Sequence, residues 1–131
     1  MMNDIAEFYP LIGRVLLGAL FLQSGISKLT NWSGTKGYMA STGLVATPLL
    51  LSLTILIESL GGLALILGYY AAFSGMVLAL FLVPVTIIFH KFWQAEGMER
   101  QNQRVAFLKN LAIIGGLLFV AAHGAGPLSL G

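Results

Sequence analysis

Four runs of apolar residues follow one another along the chain, at residues 9–29, 48–69, 71–90 and 105–123. Each is long enough to cross a bilayer as an α-helix. Within the runs, polar and small residues recur at helical spacing. In the first, Arg14, Gly18, Phe21, Gly25 and Lys28 share one face, which predicts a side packed against another helix. In the second, Thr54, Glu58, Gly61 and Gly62 form such a face, and Leu53, Leu56, Leu60 and Leu67 on the other side suit lipid. In the third, Gly75, Ala79, Leu82, Thr86 and His90 form the expected inner face, and Pro84 predicts a kink. In the fourth, Lys109, Gly116, Val120 and His123 lie on one side, with Asn110 beside them.

These elements predict an all-α, polytopic membrane protein, an antiparallel four-transmembrane-helix bundle forming a single domain over residues 1–131. The second and third runs joined would make one helix of roughly 60 Å, about twice the hydrocarbon thickness. The chain therefore turns near Gly68-Tyr69-Tyr70. Residues 30–47 read as a connector, with Trp32 and Tyr38 at the membrane–water boundary and a helical turn over Lys36 to Thr42 that Gly43 ends. KFWQAEGMERQNQR is the one strongly hydrophilic loop. The first run reads as a retained helix, because Arg14 lies inside it and no small-residue cleavage site precedes the later runs.

Composition adds exclusions. The chain is 57% hydrophobic and 9% charged, more apolar surface than a soluble domain of 131 residues can hide. It has no cysteine, so it carries no disulfide, thiol redox chemistry, Cys-ligated zinc or iron–sulfur cluster of its own. A net charge of +2 without a basic patch does not point to nucleic acid. His90 and His123 fall at opposite ends of the bundle, which argues against a shared metal site, and both suit the membrane boundary. The two longer loops hold Lys36, Lys91, Arg100 and Arg104, so the positive-inside rule places them in the cytoplasm and both termini on the non-cytoplasmic side.

One residue poses the chemical question. Glu58 stands near the middle of an apolar helix, where an ionised carboxylate costs several kcal/mol unless it is paired or protonated. Arg14 approaches its depth from the terminal side and Lys109 from the loop side. Two compatible readings follow: an Arg14–Glu58 ion pair that fixes helix register, and a polar pocket in which Glu58 and a cation contact a small amphipathic ligand or relay a proton. Lys28 suits snorkelling to the interface but belongs, with Asn110, among the ligand-binding or proton-handling candidates.

The residues also resemble a family. GRVLLGALFLQSGISKL, GTKGYMASTGL, ESLGG with its mid-helix Glu58 and FLKNLAIIGGLLF look like the ordered motifs of DoxX-type membrane proteins, from Arg14 to Pro127. The resemblance implies a four-helix protein of the bacterial inner membrane, related to a small subunit associated with quinone-linked oxidation. It implies a bound quinone and an oxidoreductase partner protein, since the chain offers no redox centre. On these grounds the expected function is a small membrane component of a quinone-linked redox system, with Arg14, Glu58 and Lys109 lining a head-group pocket. Alternatives are a small-solute transporter or channel, which would need a homo-oligomer to widen its pathway, and a non-catalytic anchor or assembly factor for a partner.

Overall fold

The computed structural model describes residues 2–130, with side-chain environments from residue 5 onward. It contains five α-helices and one short 3-10 turn, in the order α1 (Met2–Thr30), α2 (Trp32–Ser41), α3 (Thr47–Leu67), α4 (Ala71–Phe89), the turn (Phe92–Gln94) and α5 (Gly97–His123). Four of them, α1, α3, α4 and α5, are long and apolar enough to cross a membrane. No strand occurs among the described residues. The fold is the all-α, four-span antiparallel bundle that the apolar runs predict.

The helix bounds differ from the apolar runs at two ends. α5 begins at Gly97 rather than residue 105, because Glu, Arg and Gln in MERQNQR are good helix formers and carry the helix beyond the bilayer-length segment. α1 likewise runs back through Pro10 to Met2. The connector helix α2 starts at Trp32, earlier than the expected turn, and ends before Gly43, whose φ of +90° suits a glycine. Its buried Met39 packs on Leu51 and Ile55 of α3. α3 closes at Gly68 in the left-handed region, with Tyr69 N–H bonded to the Ala64 carbonyl at 2.9 Å. α4 passes through Pro84, which lies on its exposed side where the lost backbone bond faces away from the core.

Helices in lipid gain little from burying apolar groups against one another, so close packing and hydrogen bonds hold the bundle. The glycine faces supply the packing. A Cβ added at Gly18 would collide with the Gly62 carbonyl oxygen, and one at Gly25 with Ser59. α1 and α3 therefore meet backbone to backbone. α4 and α5 form a second close pair, with Gly75 against the Leu117 backbone. The pairs join along α3 and α4 around Leu65, Leu78 and Leu117, all fully buried. α1 and α5 touch only slightly. A cleft therefore runs between them, and the intramembrane polar residues sort around it.

Candidate functional site

Glu58 is buried on α3, and α1 answers it. Lys28 and Ser24 lie one turn apart on the α1 face that carries Gly25, so the close glycine crossing brings both to the carboxylate. Lys28 Nζ stands 2.7 Å from Glu58 Oε1. Ser24 Oγ donates to Glu58 Oε2 at 3.1 Å, and Lys28 Nζ donates to Ser24 Oγ at 2.6 Å. The ammonium is thus ion-paired with Oε1, and each carboxylate oxygen can still accept a further hydrogen bond. The Glu58 side chain is 7% exposed and that of Lys28 is 29% exposed. The anion is sealed and its cation borders a cavity.

The expected Arg14–Glu58 pair does not form. Arg14 is 1% exposed and sits toward the other end of the bundle. Its guanidinium donates to the carbonyls of Leu65 at 3.0 Å and Ile66 at 3.3 Å, at the C-terminal end of α3. It also donates to Leu128 at 2.9 Å and Pro127 at 3.5 Å in the C-terminal tail. The physical reason is depth. About 10 Å of helix rise separates Leu65 from Glu58 at 1.5 Å per residue. The end carbonyls of α3, which keep a free lone pair, and its negative dipole end lie closer to Arg14 than the carboxylate does. Arg14 thus lies outside the Glu58 cavity, which corrects its expected pairing; it borders a separate cavity of about 400 Å³ between α1 and α5, with Leu17, Phe119 and His123.

Two further polar contacts flank the cluster. Asn110 Nδ2 donates to Thr86 Oγ1 at 3.0 Å, and Thr86 Oγ1 donates to the Leu82 carbonyl at 2.6 Å. His90 Nδ1 lies 2.8 Å from Gln103 Oε1 near the loop-side ends of α4 and α5. Lys109 is exposed on the rim of the cleft and makes no hydrogen bond or ion pair among the described residues. His123 is exposed and stacks on Phe119. Gln23 is exposed, as its position opposite Arg14 implies.

These groups border two cavities. The first, about 330 Å³, lies in the cleft between α1 and α5, with Ser24, Lys28, Glu58, Lys109 and Asn110 as its polar lining over an apolar floor of Phe21, Leu82 and Ile113. The second, about 200 Å³, lies beneath α2, lined by Thr35, Tyr38, Thr54 and Phe89. Lys28, Glu58, Val85 and His90 line both. A larger apolar groove of about 700 Å³ runs between α3 and α4 past Leu60 and Phe73, away from the polar cluster, and suits lipid. No three His, Asp or Glu side chains converge on a metal position among the described residues.

Sequence reading finds Glu58, Lys28, Lys109 and Asn110 around one cavity but misses Ser24 and Gln103. Ser24 is legible in principle, four residues before Lys28 on the same helix face. Gln103 is not, because the helical extension that presents it lies in a hydrophilic segment that reads as loop.

Comparison with known proteins agrees with this architecture. The family model described as DoxX matches residues 9–91. The chain is similar to inner membrane protein YqjF of Escherichia coli, 33% identical over 98% of this chain and 94% of that protein. It is similar to inner membrane protein YphA of the same organism, 27% identical over 92% and 86%. It is also 30% identical to the ER-derived vesicles protein ERV29 of Saccharomyces cerevisiae, over 98% of this chain but 34% of that longer protein. No solved structure matches the chain. With four apolar helices, a glycine-packed bundle and a family match over most of its length, this chain is a small membrane protein that belongs to the DoxX family.

Proposed function

We propose that the protein is a small component of a quinone-linked redox system in the bacterial inner membrane, and that it binds a quinone or a similar small amphipathic molecule in the cleft between α1 and α5. One observation carries the reading: a nearly buried carboxylate, its partly exposed ammonium and a hydroxyl cluster on one side of a cavity that also holds Lys109 and Asn110 over an apolar floor. At about 330 Å³ the cavity is at the small end of ligand pockets and suits a single ring head group, whose tail leaves between the loosely packed α1 and α5. Lys28 and Asn110 are donors for ring carbonyls. Glu58 accepts from, or gives a proton to, a ring hydroxyl. Lys109 supplies a second cation at the rim. The electrons come from a partner oxidoreductase, since the chain has no redox group of its own. The relatives named as inner membrane proteins support the location, and the basic loops support cytoplasmic loops with outer termini.

The test is to purify the protein with its native lipids and identify co-purified quinone by mass spectrometry. The reading expects quinone with the native protein and its loss in Glu58→Gln. Absence from the native protein, or equal amounts in both, rejects it. A small-solute transporter is the second reading, favoured by the placement of Glu58 between two cavities; Glu58-dependent flux into proteoliposomes without bound quinone would select it.

A further inference from the structure

The two cavities that share Glu58 are unlike each other. The cleft cavity lies where α1 and α5 scarcely pack, with Leu20, Phe21 and Ile113 as its apolar lining and Ser24, Lys109 and Asn110 as polar groups that the other cavity lacks. The cavity beneath α2 faces the loop-side end of the bundle. The connector helix roofs it, with Thr35 and Tyr38 from α2 and Thr54 from α3 as hydroxyl-bearing lining. Tyr38 closes over Phe89, ring on ring at 5.6 Å. The residues common to both cavities are Lys28, Glu58, Val85 and His90. A carboxylate 7% exposed thus forms part of the wall between a lipid-facing space and a loop-facing one.

We propose that the chamber beneath α2 is the aqueous side of the site. Water and protons reach Glu58 through it from the loop side, while the ligand reaches the same carboxylate from the bilayer through the α1/α5 cleft. Lys28 and Glu58 form the partition between the two. The titratable groups facing the α2 chamber are Tyr38, His90, Lys28 and Glu58. Hydroxyls at Thr35, Tyr38 and Thr54 offer a water molecule the polar partners that an apolar void lacks. His90, held by Gln103 near the loop-side ends of α4 and α5, has two ring nitrogens, one a donor and the other an acceptor in the neutral ring, which suits it to pass a proton inward. The Glu58 carboxylate, which lines both cavities, is the acceptor at the end of that route. This inference rests on the ligand site proposed above for the bilayer side but makes a separate statement about water.

The chain has no cysteine, so single cysteines report on accessibility without background. Three positions lie at comparable depth, roughly 10–13 Å from the loop-side end of their apolar segments. Thr54 lines the α2 chamber, Ile113 lines only the cleft, and Leu53 is exposed on the lipid side of α3. In nanodiscs, a small charged methanethiosulfonate reagent is expected to modify Thr54→Cys at least tenfold faster than Leu53→Cys, with Ile113→Cys as slow as Leu53→Cys. Removing the partition with Lys28→Ala, the milder change because Lys28 is partly exposed, is expected to bring Ile113→Cys up toward the Thr54→Cys rate. Thr54→Cys reacting as slowly as Leu53→Cys overturns the aqueous chamber. Thr54→Cys and Ile113→Cys reacting equally in the otherwise native protein overturns the separation. An unreactive Ile113→Cys in the Lys28→Ala background overturns the partition. None of these rates depends on quinone, so failure here and failure of the quinone reading are distinct results.

Discussion

α1 carries two cations on one face, and the structure resolves them in opposite ways. Arg14, near the terminal end, is 1% exposed and holds four backbone carbonyls, two at the end of α3 and two in the C-terminal tail. Lys28, near the loop end, is 29% exposed and holds a carboxylate and a hydroxyl beside two cavities. The guanidinium spreads several donors in a plane, which suits carbonyls converging from two segments. The ammonium is a compact charge on a flexible stem, which suits an ion that must share its partner. The contrast teaches that intramembrane charge alone does not mark a site. Both cations border a cavity, so what separates them is the partner: Arg14 spends its donors on backbone, and Lys28 shares a carboxylate that itself lines the cavity.

The comparison breaks most visibly at Arg14. Arg14→Ala should leave the end of α3 and the tail without their common donor. The cost should be about 3–5 kcal/mol, from the cavity left by a large buried side chain and the charged hydrogen bonds lost to backbone carbonyls. The check is thermal unfolding in detergent, with hydrogen exchange at residues 124–130 reporting release of the tail. A change below about 1 kcal/mol, with the tail still protected, would remove the structural half of the contrast.

Next in size is the helix crossing that places Lys28. Gly62→Val should force apart α1 and α3, because its Cβ meets the Gly18 carbonyl and the Leu22 backbone rather than a side chain that can move. A loss of about 2–3 kcal/mol and displacement of Lys28 from Glu58 are expected. Gly115→Ala, with open space around its position, should be nearly silent in the same unfolding assay.

Smaller in stability but larger in function is Lys28→Met. Glu58 loses its cation but can take up a proton, at a cost of about 1–2 kcal/mol of stability, while affinity for a quinone head group should fall about tenfold or more. Arg14→Lys should show the reverse pattern, reduced stability with affinity retained in whatever fraction stays folded. Smallest is Thr86→Val, which removes the acceptor of Asn110 while keeping the side-chain shape. A loss of about 1 kcal/mol is expected, with a modest weakening of binding if Asn110 then turns away from the cleft. Binding unaffected by Thr86→Val and by Asn110→Leu would take that amide out of the site.

Much of the fold is legible in the sequence, for reasons specific to membranes. Apolar length marks the spans, and the recurrence of Gly18, Phe21 and Gly25 at helical spacing marks the packed face of α1, all three of which are buried. Leu53, Leu56 and Leu60 are exposed on the outer face of α3, as their spacing opposite Glu58 predicts. The turn at Gly68 follows from length alone. What the sequence does not reveal is which cation meets Glu58. Facing direction is periodic and readable, but relative depth depends on how two helices slide along each other, and the Gly18–Gly62 crossing sets that register only in three dimensions. Helix α5 shows a related limit. Lys109 and Asn110 are neighbours in sequence, yet Asn110 turns in toward Thr86 and Lys109 stays on the rim, a difference of one helical step that an apolar pattern with few polar residues does not fix.

The central claim is that Lys28 and Glu58, not Arg14, form the ligand site. It is tested most directly by equilibrium binding of a short-tailed ubiquinone analogue to purified protein in nanodiscs, with native protein, Lys28→Met and Arg14→Lys compared at matched folded fraction. The account predicts saturable binding to the native protein, a loss of about tenfold or more in Lys28→Met and an affinity within about twofold of native in Arg14→Lys. Binding that survives Lys28→Met unchanged, or that disappears with Arg14→Lys while the protein stays folded, contradicts it.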